Sequence, residues 1–186
     1  MMNLREKLIY SLYVILALGT LLIAGCTGSS EPEPASPTGI VELHKEGRQM
    51  PAFNLSSPLS EDTFTSSDSF KGKVVLVSFF TSWCRSCLEE IPSLKKLQNR
   101  FGDQDFVLIG MAVDRENKVG LKNLILKQKI NYPVLLADEV VKKDFGGIAI
   151  LPTMFLADRQ GNLLKKYFGH IERESLVQDI KQTLKR

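Results

Sequence analysis

The chain has 186 residues, 44% of them apolar, and 24 basic against 21 acidic side chains give a formal net charge of +3. This suits one ordinary globular domain with extensions. A charge so small gives no reason to expect nucleic-acid binding.

Arg5 and Lys7 precede Leu8 to Ala24, a mostly apolar run that is short for a spanning helix, which needs about 20 residues, and suits an export signal. The run ends in Ile23-Ala24-Gly25-Cys26, which resembles a bacterial lipobox, so residues 1–25 are expected to be a lipoprotein signal peptide and Cys26 the lipid attachment point. The alternative is an uncleaved N-terminal anchor helix, and either places the domain outside the cytoplasm, tethered to a membrane. Thr27 to Gly39 is rich in Ser, Pro, Gly, Thr and Glu without apolar periodicity, so residues 26–39 read as the lipidated cysteine and a flexible tether. The folded domain is expected over 40–186. His44 falls in the polar stretch that follows the tether and reads as exposed and inert.

Pro51 to Leu55 and Thr63 to Thr65 alternate as short strands around a loop through Pro58, an N-terminal hairpin. Val74-Val75-Leu76-Val77-Ser78-Phe79-Phe80 is an almost unbroken apolar, β-branched run, the pattern of a central strand buried on both faces. Thr81 and Ser82 break it, and Trp83-Cys84-Arg85-Ser86-Cys87 opens a new segment. From Leu88 onward, Leu88, Ile91, Leu94, Leu97 and Phe101 fall at helical period, so the cysteine pair sits where a strand ends and a helix begins.

That placement favours thiol chemistry. A helix N-terminus offers unpaired N–H groups and a partial positive charge to a thiolate, and cysteines three apart can close a disulfide within one turn. A free thiol is only about 3% ionised at pH 7, and the dipole lowers its pKa by about 0.2–0.7 units. Arg85 is expected to add to this if its side chain stays near the sulfur. Cys84 is therefore the candidate nucleophile and Cys87 the resolving thiol. Other uses of the pair fit less well. Leu88 stands where haem attachment needs His. A zinc site would have to draw on Cys26, His44 and His170, which are scattered in the sequence. Val77 stands where a peroxidatic Pro-x-x-x-Thr-x-x-Cys pattern needs Pro. A Sco-type copper chaperone would have three residues between its cysteines, and an inert structural disulfide remains an alternative.

Pro92 lies inside the cysteine helix. A second buried-type strand runs over Phe106 to Val113, and Asp114 to Asn117 forms the loop at its carboxyl end, where ligand crevices open in α/β sheets. Asp114 borders that crevice in principle but reads first as a helix cap. A helix follows over Val119 to Lys129, then a strand over Val134 to Leu136 and a helix from Glu139 to Phe145 capped by Asp138. Thr153 to Ala157 and Leu163 to Tyr167 form a hairpin, and Arg173 to Leu184 an amphipathic closing helix. Alternating strands and helices followed by a hairpin and helix signal an α/β fold with a mixed sheet.

The hairpin from Met50, KGKVVLVSFFTSWCRSC, Glu90-Ile91-Pro92, NYPVLLADE and LPTMFLADRQGNLL together resemble the membrane-tethered TlpA/ResA-like thiol-disulfide oxidoreductases of the thioredoxin superfamily. The resemblance covers Met50 to Arg186. It implies a thioredoxin-like fold, a mixed central sheet flanked by helices, with an added N-terminal β-hairpin and an insertion after the strand ending at Val113. It implies that Pro152 is cis beside Cys84, that Trp83 flanks the nucleophile, and that Leu151 offers backbone groups to an extended substrate. It also matches Glu90 to the acidic residue that such reductases place near the pair. Helical spacing from Cys87 independently makes that proximity plausible. Ser78 departs from thioredoxin, which has a buried aspartate there, and Arg85-Ser86 departs from the common Gly-Pro and Pro-Pro pairs.

The expected function is reduction of disulfides in exported proteins, with apocytochrome c as leading substrate and electrons from a membrane thiol donor. The redox-active Cys84–Cys87 disulfide needs no further cofactor. The chain is expected to act as a monomer, anchored by lipid in the bacterial cell envelope, without nucleic acid. The rivals are a DsbA-like thiol oxidase and a non-catalytic metal- or partner-binding module.

Overall fold

The computed structural model describes residues 39–42 and 48–186. The expected signal peptide, Cys26, most of the tether and His44 lie outside these residues. The strands are β1 (Gly39–Glu42), β2 (Asn54–Ser57), β3 (Ser60–Ser66), β4 (Val74–Phe80), β5 (Phe106–Ala112), β6 (Val134–Leu136), β7 (Thr153–Ala157) and β8 (Leu163–Phe168). The helices are α1 (Arg85–Phe101), α2 (Lys118–Gln128), α3 (Glu139–Asp144) and α4 (Arg173–Leu184).

Six strands form one sheet in the order β1-β8-β7-β4-β5-β6, and β2 and β3 form a separate hairpin. β4 is central because all its residues are apolar or small, and all are buried. It runs parallel to β5 and antiparallel to β7, which makes the sheet mixed. Odd and even positions of β4 feed two cores, as the two-residue period requires. Leu76 and Phe80 pack with Leu94, Leu97 and Phe101 of α1, Leu121 of α2 and Ile180 of α4. Val75, Val77 and Phe79 pack with Phe53 and Leu55 at the hairpin, Val141 of α3 and Phe145. The thioredoxin-like fold with an added N-terminal hairpin, expected from the sequence, is the fold observed.

Polar ties at its middle hold α1 to β5 and to the end of α2. Gln98 Oε1 accepts the Leu108 N–H at 2.8 Å, and Lys95 Nζ donates to the Gln128 carbonyl at 2.6 Å. At the other edge, Asp179 of α4 accepts from Lys165 Nζ at 2.7 Å and from the Tyr167 hydroxyl at 2.8 Å.

One strand was not evident from the sequence. Gly39 to Glu42 pairs antiparallel with β8 at the sheet edge. Ile40 and Val41 are exposed there, so the segment lacks the buried alternation that marks a strand.

Candidate active site

The site is built on the turn from β4 into α1. Cys84 N–H reaches the Thr81 carbonyl at 3.4 Å, closing a turn over Thr81-Ser82-Trp83-Cys84. Cys84 then serves as the N-cap of α1: its backbone is extended, and its sulfur accepts the Cys87 N–H at 3.3 Å. Capping of this kind is ordinarily done by an oxygen of Ser, Thr, Asp or Asn, and here a sulfur occupies that place. The Ser86 hydroxyl adds a second polar contact to Cys84 Sγ at 3.5 Å. Cys84 and Cys87 are disulfide-bonded, with Cα atoms 5.3 Å apart.

The two sulfurs differ in surroundings. Cys84 is 8% exposed and Cys87 3%, and Trp83 beside them projects into solvent at 72%. Arg85 corrects an expectation. Its side chain turns away into solvent and pairs with Glu89 Oε1 at 3.0 Å instead of leaning on the sulfur. The helix N-terminus, the Cys87 N–H and the Ser86 hydroxyl are the groups that favour a Cys84 thiolate.

Behind the disulfide lies a small cavity of about 10 Å³, lined by Cys87, Glu90, Tyr132, Ser78, Gly110 and Pro152 among others. A space of that size holds about one water. Burial pushes the Glu90 carboxyl up from 4.5 to about 7. The same burial, with the Glu90 charge nearby, pushes the Tyr132 phenol up as well. Tyr132 was not singled out from the sequence. Its neighbour Pro133 marked a strand start, but nothing local linked it to Cys87 and Glu90, more than forty residues earlier.

The Leu151–Pro152 peptide is cis. Pro152 is buried and lines the Cys87–Glu90 cavity, while Leu151 is half-buried between the two cores. The turn before β7 is tied by Thr153 Oγ1, which donates to the Ile150 carbonyl at 2.7 Å. Ser78 lines the same cavity, in which Glu90 is the acidic side chain.

Asp114 corrects a second expectation. It precedes the 3-10 turn Arg115–Asn117, but its side chain makes no capping hydrogen bond to it. Its Oδ2 instead accepts both the Ser82 N–H, at 2.9 Å, and the Ser82 hydroxyl. Three buried side-chain oxygens have no hydrogen-bond partner among the described residues: Thr81 Oγ1 in the thiol turn, Asp114 Oδ1 on the residue that grips Ser82, and Glu90 Oε2 on the residue that lines the cavity with Cys87. Polar groups left unpaired inside a fold concentrate at working sites. Also among the described residues, no cluster of three His, Cys, Asp or Glu side chains is placed to hold a metal ion.

Residues 45–184 match the Redoxin family. The thiol-disulfide oxidoreductase ResA of Bacillus thuringiensis subsp. konkukian (strain 97-27) is 29% identical over 115 residues, spanning 61% of this chain and 65% of ResA, just under two thirds of that relative. The thioredoxin-like protein YneN of Bacillus subtilis (strain 168) is 25% identical over 137 residues, 73% of this chain and 79% of YneN. The crystal structure of a thiol:disulfide interchange protein of the thioredoxin family from Chlorobium tepidum TLS superposes with a TM-score of 0.68 at 31% identity, covering 74% of this chain and 97% of the other. The chain belongs to the Redoxin family, as a ResA-like protein of the thioredoxin superfamily.

Proposed function

We propose that this protein is a thiol-disulfide oxidoreductase that reduces disulfides in exported proteins. The observation that carries the reading is a Cys84–Cys87 disulfide at a helix N-terminus, backed by the Glu90 carboxyl, which burial pushes up to about 7. In the reduced form, the Cys84 thiolate attacks one sulfur of the substrate disulfide, forming a mixed disulfide and releasing one substrate thiolate. Cys87 then gives its proton toward Glu90 and attacks Cys84 Sγ. The second substrate thiolate leaves, and the Cys84–Cys87 disulfide re-forms. Two electrons pass to the substrate, and a thiol donor at the membrane restores the dithiol. Trp83 supplies an exposed apolar contact, and Leu151 a backbone edge for an extended substrate segment.

The finer reading is that the domain works outside the cytoplasm, held to a membrane by lipid on Cys26, on substrates that include the haem-binding cysteines of apocytochrome c. It is supported by the apolar run ending at Ala24-Gly25-Cys26 and by the resemblance to ResA-like reductases.

The test is the reduction potential of the Cys84–Cys87 couple together with reduction of an apocytochrome c peptide disulfide. A potential near thioredoxin's roughly −270 mV with turnover of the peptide is the expected result. A potential near DsbA's roughly −120 mV would assign the protein to oxidation instead. For the anchor, Cys26→Ala should abolish incorporation of labelled lipid, and retained labelling would refute it.

A further inference from the structure

The thiol turn is gripped from the side by residues that thiol exchange does not itself require. Ser82 is the second residue of the turn that Cys84 N–H closes on Thr81. Its N–H and its hydroxyl both donate to one oxygen of Asp114, just beyond the end of β5. Its hydroxyl also accepts from Asn117 Nδ2 at 2.9 Å. Asn117 is held in turn, since its Oδ1 caps α2 by accepting the Gly120 N–H at 3.2 Å. The Asn117 amide leaves no room for a side chain at this position: a Cβ on Gly120 would collide with it. The ladder between β4 and β5 continues to Val113 N–H on the Phe80 carbonyl at 3.0 Å, so Asp114, just past the end of β5, stands level with Ser82, just past the end of β4.

We propose that Asp114 is a positioning residue for Cys84, holding the Thr81–Cys84 turn through Ser82 so that the Cys84 sulfur keeps its capping contact with the Cys87 N–H. A charged acceptor shared by two donors makes stronger hydrogen bonds than a neutral one. It acts on the one segment that joins the nucleophile to the sheet. Trp83 is solvent-exposed and supplies little packing of its own to fix this turn. When the clamp is released, the turn relaxes, Cys84 Sγ loses its N–H donor for part of the time, and its thiolate is less favoured. Asn117 and Gly120 extend the clamp into α2, so the insertion after β5 supports the reactive cysteine as well as the sheet edge.

The inference rests on Cys84 being the reactive thiol, and its test does not need a protein substrate. Iodoacetamide alkylation of Cys84 in the reduced protein is followed from pH 5 to pH 9 in Asp114→Ala, Asp114→Asn and Ser82→Ala, alongside thermal unfolding. Asp114→Ala is expected to slow alkylation at pH 7 by about tenfold and move the profile to higher pH, on the scale of one charge-assisted hydrogen bond. Asp114→Asn keeps an acceptor oxygen and should recover to within about threefold of the parent protein, while Ser82→Ala should fall between the two. A parent-like profile in Asp114→Ala, with only its unfolding temperature lowered, would overturn the proposal. So would equal slowing in Asp114→Ala and Asp114→Asn, which would point to charge in place of hydrogen bonding. If Asp114→Ala does not fold, Ser82→Ala decides: slowed alkylation with Asp114→Asn near normal supports the clamp, and an unchanged rate refutes it. Absence of disulfide reductase activity in the parent protein would defeat the proposed function and leave this comparison standing.

Discussion

The Cys87 N–H donates to Cys84 Sγ at 3.3 Å, so one member of the cysteine pair caps the helix that carries the other. The donor is backbone and survives a change of the Cys87 side chain. Cys87→Ser should therefore keep an activated Cys84 while removing the thiol that resolves the mixed disulfide. Incubated with a disulfide-containing protein and run on a non-reducing gel, Cys87→Ser should accumulate at least about tenfold more covalent complex than Cys84→Ser. Equal trapping by both would reverse or erase the assignment.

Glu90 supplies a pH dependence with a definite sign. Its carboxyl is raised from 4.5 to about 7 in the folded protein because burial disfavours the charged form. Between these values the native state binds more protons than the unfolded chain. Its contribution to stability is therefore full below pH 4.5 and is lost as pH rises through about 7, by up to about 3 kcal/mol. Glu90→Gln should flatten that part of the stability profile, as read from urea midpoints at pH 5 and pH 8. In kinetics, resolution of the mixed disulfide should rise with a midpoint near pH 7 in the parent protein and lose that limb in Glu90→Gln.

Arg85 is the charged residue nearest the nucleophile in sequence, yet its side chain is solvent-exposed and paired with Glu89. Exposed pairs and screened charges contribute little. Arg85→Ala should leave the Cys84 thiol pKa within about 0.3 units of its parent value. A rise of about one unit, measured from thiolate absorbance, would show that the guanidinium acts on the sulfur after all.

Phe79 tests the core beneath the hairpin and α3. It is fully buried, with its ring edge-on to Phe145 at 5.1 Å and to Phe155 at 6.1 Å. Phe79→Ala should destabilise the domain by about 3–5 kcal/mol in denaturant titration. The cysteines face the other side of the sheet with α1, so the potential of the Cys84–Cys87 couple should change by less than about 15 mV.

The pattern of residues along the chain determined the fold and the thiol pair. Val74 to Phe80 is apolar on both alternating faces, and Leu88, Ile91, Leu94 and Leu97 repeat at helical period, so the strand, the helix and the cysteine junction between them are written locally. Pattern failed at β1, whose exposed edge position leaves no apolar alternation to detect. What tertiary structure alone decided was which distant groups meet at the junction. Arg85 could face the sulfur or solvent with the same helical spacing, and the i+4 glutamate drew it outward. Asp114 had the right type and place for a helix cap, but parallel pairing of β4 with β5 set it level with Ser82, where two donors compete for the carboxylate more effectively than a short 3-10 turn. Tyr132 joined Glu90 and Cys87 through packing of β6 beside β5. Helical spacing places side chains on a face. Strand register and burial, which depend on residues far apart in sequence, decide what that face meets.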